Sequence, residues 1–203
     1  MNNYICINSQ KIGLTEEQVE KIVAAYNMSN VKLSDIPEGD TCKIGENEFV
    51  VLEHKESTTV VVLKNLLPEV AFGGDSNRYD GSNVDRFCCE FAEDLFAAVG
   101  SDNVIPHTVD LTSNDGLKDY GQIERAVSLL TADLYRRYVQ VLDKEKVDGW
   151  WWLATPWSTP SHESDRCALC VSPSGRIDFD NCDYVDCDVR PFCILKSNIF
   201  VSR

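Results

Sequence analysis

Five of the nine cysteines, Cys167, Cys170, Cys182, Cys187 and Cys193, fall in the last quarter of this 203-residue chain. Six of its 19 aspartates lie in the same stretch, Ser164 to Leu195. Thiols and carboxylates at close spacing raise three chemistries. The first is redox, for which Cys167-x-x-Cys170 has the right spacing. Such pairs work at a helix start, where the dipole lowers the thiol pKa, and the neighbours here read as strand, where i and i+3 point to opposite faces. The second is zinc, which needs four converging ligands; Cys182, Cys187 and Cys193 repeat no short ligand spacing. The third is calcium, since hard cations gather carboxylates. Asp178, Asp180 and Asp183 lack the glycine and closing glutamate of an EF-hand loop, which leaves a lectin-type calcium site as the alternative to a solvated face. His54, His107 and His162 are the only histidines. His162, in Ser161-His162-Glu163-Ser164, reads as a turn residue next to the anomalous stretch. No phosphate loop, nucleophile elbow or His-x-x-x-His pair is present. The sequence therefore predicts no catalytic residue, no metal and no cofactor.

The elements that must carry these residues are legible in part. Leu14-Thr15-Glu16-Glu17-Gln18-Val19 is a helix start, with Thr15 and Gln18 as a capping box and Leu14 stapled on Val19. Val19, Ile22, Val23 and Tyr26 then share one face, and residues 27–30 form the exit. Phe49–Glu53 and Thr58–Lys64 read as two strands of a hairpin, and Gly73–Asn77 as a loop. Ser82 caps a second helix with Val84, Phe87, Cys88, Phe91, Leu95 and Val99 inward, ended by Gly100; Cys88 and Cys89 are read as packing residues. Asp102 to Gly121 reads as turns, and Ala126 to Leu130 as a strand. Thr131 caps a third helix with Leu134, Tyr135, Tyr138, Val139 and Leu142 inward. Beyond Gly149 the chain has short strands and frequent turns. Trp150-Trp151-Trp152-Leu153 is a dense aromatic strand, with at least two of its tryptophans expected in the core.

Composition bounds the partners. Nineteen Lys and Arg stand against 33 Asp and Glu, a net charge of −14, which repels phosphate backbones and anionic lipid surfaces. Nucleic acid and membrane insertion are thus excluded as expectations. The start lacks the basic flank and apolar stretch of a secretory signal, so the expected location is the cytoplasm, with cysteines as thiols.

From Arg176 to Val189 the residues alternate. Ile177, Phe179, Val185, Cys187 and Val189 are assigned to a core; Arg176, Asp178, Asp180, Cys182, Tyr184, Asp186 and Asp188 are assigned to solvent. The stretch Ser164–Leu195 also contains no Lys, Glu, Gln, Met or Trp, although these types make up about a sixth of the chain. Glu and Lys suit an exposed strand at least as well as Asp does. Folding alone does not ask for their exclusion.

Trp151-Trp152-Leu153-Ala154-Thr155-Pro156, Cys170-Val171-Ser172-Pro173-Ser174-Gly175 and Val189-Arg190-Pro191-Phe192 resemble the closing "WWL-x-(S/T)-P … V-x-x-x-G … VRP" pattern of a bacterial and phage family, domain of unknown function 6273. Lys43-Ile44-Gly45, Phe49-Val50-Val51-Leu52, Asn77-Arg78-Tyr79-Asp80-Gly81-Ser82 and Val127-Ser128-Leu129-Leu130 fit the same pattern upstream. The resemblance runs from about Val31 to Leu195 and implies a C-type-lectin-like fold. Related proteins are the variable targets of diversity-generating retroelements, in which adenine-directed mutagenesis rewrites codons near the 3′ end of the gene. Randomising the adenines of Asn codons gives Asn, Asp, Tyr, His, Cys, Ser, Gly, Arg and apolar residues, never Lys, Glu, Gln, Met or Trp. The family often has Gly where this chain has Asp188.

The sequence thus predicts an α+β fold: a C-type-lectin-like domain over 31–203 with short antiparallel strands and two packed helices, preceded by an N-terminal helical segment over 1–30. Residues of about 164–195 would form a diversified surface for a protein or glycan ligand. The predicted ligand-binding face is Asp165, Cys167, Leu169, Arg176, Asp178, Asp180, Cys182, Tyr184, Asp186 and Asp188. Two alternatives stay open, an oxidase of the formylglycine-generating kind with a reactive cysteine pair near Cys187–Cys193, and a structural phage or prophage component. Homo-oligomer formation and virion association are also left open.

Overall fold

The computed structural model describes residues 4–7 and 10–203; the side chains of 5–7 and 23–29, and with them the inward positions expected for Val23 and Tyr26, lie outside the described set. A hairpin comes first, β1 (Tyr4–Ile7) paired antiparallel with β2 (Gln10–Gly13). Helix α1 (Glu16–Ser29) begins at the predicted capping box: Thr15 N–H donates to Gln18 Oε1 at 2.9 Å, and Gln18 N–H to Thr15 Oγ1 at 3.2 Å. It runs directly into β3 (Asn30–Lys32).

A meander follows: β4 (Thr41–Ile44), β5 (Asn47–His54) and β6 (Thr58–Leu63). The apolar runs of β5 and β6 do not alternate because both their faces are covered. Phe49, Val51, Val61 and Leu63 enter one core cluster, and Val50, Leu52, Val60 and Val62 enter a second on the other side. Helix α2 (Asn83–Val99) packs Val84, Cys88, Phe91 and Leu95 into the first cluster. The Ser82 hydroxyl accepts from Asp85 N–H at 3.1 Å, and Gly100, at φ 84°, ends the helix.

The stretch read as turns holds two strands, β7 (Val104–Ile105) and β8 (His107–Asp110), the latter paired with β9 (Gln122–Arg125). With two and four residues, these strands are too short for a period to emerge from the sequence. Then come β10 (Val127–Leu129) and α3 (Ala132–Leu142), whose cap is the Thr131 hydroxyl accepting from Leu134 N–H at 3.3 Å. Tyr135, Tyr138 and Leu142 are buried in the second cluster. The last strands are β11 (Trp151–Pro156), β12 (Cys167–Val171), β13 (Ile177–Asn181), β14 (Pro191–Lys196) and β15 (Phe200–Ser202).

The main sheet has the order β10-β14-β6-β5-β4-β15-β3, with β7 also on β14; a second sheet has the order β11-β12-β13. The architecture is α+β, three helices on mostly antiparallel sheets. Among the described residues no helix is long and apolar enough to cross a membrane. In β11 the alternation serves both clusters. Trp152 and Ala154 go to the first, Trp151 and Leu153 to the second, while Trp150 is exposed.

Arg190 closes the space between the sheets. Buried and in no ion pair among the described residues, it donates to the carbonyls of Leu63 (2.9 Å), Lys64 (3.4 Å) and Glu145 (3.3 Å) and lies 5.2 Å from the Trp151 ring centroid. Burial lowers its pKa to about 10. A planar fork that reaches three carbonyls and stacks on an indole is a task for Arg and not for Lys.

Candidate ligand-binding face

The small sheet loses its cover strand by strand. β11 is buried throughout, β12 is buried except at Cys167, and no residue of β13 is buried. Across β12 and β13 the register is Cys170↔Asp178, Leu169↔Phe179 and Ala168↔Asp180. Asp178 and Asp180 therefore share a side with Ala168 and Cys170, which belong to the first core cluster. Phe179 shares a side with Leu169 and Val171, which belong to the second. Both cores give out at this edge.

This geometry corrects the predicted face at several positions. Leu169, at 1% exposure, lies in a strand covered on both sides, and Cys182, at 0%, is under the Gly73–Gly74 loop, whose N–H groups donate to its carbonyl at 3.2 and 3.3 Å. Neither reaches solvent. Conversely Phe179, assigned to the core, is 46% exposed, and Val185 is also exposed. Alternation tells which residues share a side; it does not tell whether a core waits there. Arg176, Tyr184 and Asp186 are exposed, and Asp165, Cys167, Asp178, Asp180 and Asp188 are half-buried.

The polar side chains of the face engage little of the scaffold. Arg176 pairs with Asp178 at 3.2 Å. Asp178 Oδ1 accepts from Phe179 N–H at 3.0 Å, and Asp180 Oδ1 from Asn181 N–H at 2.7 Å. Asp188 differs: its backbone is tied to β11 by Trp152 N–H donating to its carbonyl and by its own N–H donating to Trp150. Its carboxyl pKa is raised, by burial first and by Glu69 second. Its backbone takes no positive φ, so an L side chain is unstrained there.

Trp157, which the sequence reading did not single out, stacks on Phe179 with ring centroids 4.4 Å apart and planes at 31°. Its loop is clasped from below. Asn77, fully buried, donates to the carbonyls of Ser158 (2.9 Å) and Cys167 (2.7 Å) and accepts from the Tyr120 hydroxyl at 2.7 Å. Asp115 accepts from Ser158 Oγ at 2.7 Å and meets His162 Nδ1 at 2.9 Å. Asp119 accepts from Thr159 Oγ1 and Ser161 N–H. Bonds from Ser113, Ser158 and His162 hold the Asp115 carboxyl well below the usual range. The only sequence signal for this clasp was an aromatic beside Ser158-Thr159-Pro160.

The cysteines of the region are packing groups. Burial pushes Cys182 up to about 12 and raises Cys193 and Cys167; for Cys187 a hydrogen bond with Cys170 comes first and burial second. Among the described residues no three His, Cys, Asp or Glu side chains converge as a metal site. No family model matches this chain, and neither does any curated protein or solved structure.

Proposed function

We propose that the chain is a ligand-binding module: a C-type-lectin-like scaffold presenting a diversified surface, the target protein of a diversity-generating retroelement. The observation that carries this reading is how little the fold asks of the face. The side-chain hydrogen bonds of Arg176, Asp178 and Asp180 reach no further than two residues along the chain, and Tyr184 and Asp186 make none among the described residues. Among the described residues the wider contacts of the ribbon are few: the stack of Phe179 on Trp157, Ile177 packed against the second core, the Asp183–Arg166 pair at 3.7 Å, and the Asn181 amide oxygen accepting from Cys167 Sγ at 3.5 Å. Exposed positions of this kind change stability by less than about 0.5 kcal/mol when substituted, so they can vary while β11, β12 and β14 keep the fold. An exposed aromatic pair bordered by polar groups is also the composition of binding hot spots. The residues missing from 164–195 are those that adenine randomisation of Asn codons cannot make, which supports the same reading from the sequence side.

The deciding experiment reads DNA. A near-copy of the codons for about Ser164–Leu195, differing only where the copy has adenine and lying beside a reverse transcriptase gene, is the expected finding. Neighbouring DNA without such a copy overturns the diversification. A protein library randomised at Arg176, Asp178, Phe179, Asp180, Tyr184 and Asp186 tests the scaffold: most members should melt cooperatively near the parent temperature, and a mostly unfolded library would refute a rewritable face.

A further inference from the structure

Strand β13 ends its sheet, and among the described residues no strand pairs with its outer side. Ser172 N–H donates to the Arg176 carbonyl and Cys182 N–H to the Arg166 carbonyl, so the even-numbered residues bond inward to β12. By alternation Ile177, Phe179 and Asn181 turn their N–H and C=O groups outward, the Asn181 carbonyl accepting from Tyr184 N–H at 3.1 Å. Two of those outward donors, Phe179 N–H and Asn181 N–H, are covered by the carboxylates of the residues just before them. An open edge is a template for another strand; here it carries a charge filter as well.

We propose that β13 is a strand-addition site for an extended basic peptide segment of a partner protein. The proposal rests on the binding-module reading and names the partner's chemistry. A strand laid beside β13 sends alternate side chains to opposite sides. On one side they meet the Phe179–Trp157 stack, and on the other they meet Asp180 and Asp178, the latter already paired with Arg176 at 3.2 Å. The fitting ligand alternates apolar or aromatic residues with Lys or Arg. Its cations draw the two carboxylates off the Phe179 and Asn181 N–H groups, which frees those donors for the incoming carbonyls. The same carboxylates reject a second copy of β13, because self-pairing would oppose Asp against Asp.

The test uses the full chain, isotope-labelled, and three synthetic seven-residue peptides. One alternates Lys with Val and Phe, one replaces each Lys by Glu, and one is the Lys peptide N-methylated at every second residue to abolish strand pairing. The Lys peptide should shift the amide signals of residues 177–181 and bind at least tenfold more tightly than either control, with affinity falling as salt rises. Phe179→Pro, which removes an outward donor at an edge where Pro is tolerated, should weaken binding about tenfold; Asp178→Asn with Asp180→Asn should remove most of the salt dependence. Equal binding of the Lys and Glu peptides, full binding of the N-methylated peptide, shifts elsewhere on the molecule, or no shifts at all would each overturn the proposal. If the adenine-marked DNA copy is present and the peptides fail, the strand addition is wrong and the module reading stands.

Discussion

Arg190 and His107 are single residues that each hold more of the fold than their neighbours do. Replacing Arg190 by Ala strips three carbonyls of their donor and leaves a hole beneath Trp151. The expected loss is about 3 kcal/mol, and Arg190→Lys should recover only a minor part, since an ammonium neither forks nor stacks; urea melts of the two variants check both statements. His107 is buried, shares a hydrogen bond of 2.8 Å between its Nε2 and Ser128 Oγ, and lies 4.6 Å from the Phe192 ring centroid. Burial lowers its pKa to about 4, against a pull upward from Glu124. The unfolded chain takes up the proton near 6.5 and the folded chain only near 4, so unfolding binds a proton in between. Stability should be unaffected by this group above about pH 6.5 and should fall as the pH drops toward 4, by up to about 3 kcal/mol. His107→Gln should flatten that part of the stability profile. A variant as steep as the parent would show that the histidine does not titrate as described.

Elements are joined by a few bonded hubs, and the sequence announced the elements better than the joints. The caps at Thr15, Ser82 and Thr131 and the hairpin of β5 and β6 were readable because each rests on residues close in the chain. Phe179 was misassigned because a period of two carries no information on what lies opposite, and the Asn77 clasp was invisible because its partners stand some 80 to 90 residues away. Asn77→Ala should cost about 2 kcal/mol, since two buried carbonyls and the Tyr120 hydroxyl lose their partner; it should also make Trp157 fluorescence more quenchable. Arg125 grips buried Asp85 with two bonds, of 2.8 and 2.7 Å, joining β9 to α2. Arg125→Met strands that carboxylate and should cost about 3–5 kcal/mol. By contrast Tyr184→Ala and Asp186→Ser should each stay within about 0.5 kcal/mol of the parent. A large loss at either would place the ribbon among the structural elements.

At the scale of the whole molecule, the described members of the first core begin at Leu33, with Val31 of β3 packed against it, and those of the second at Val50; β3 joins the sheet through β15. The hairpin of β1 and β2 pairs only with itself among the described residues. Tyr4 and all of β2 are exposed, so a chain of residues 14–203, without the hairpin, should fold with a melting temperature within about 4 °C of the full chain; failure to fold would tie the hairpin to the cores. The α+β class was legible because strands and helices had clear local signals, whereas the division of the strands among separate sheets depends on contacts between distant segments. One consequence lies in β13, of which only Ile177 packs on a core. A strand resting on a core has one free side, so its gene can be rewritten only at every other triplet. Past Ile177, no residue of 178–181 is buried on either side, so neighbouring triplets there can change together. A short cassette there would sample more shapes per nucleotide than a longer one spread over an ordinary sheet.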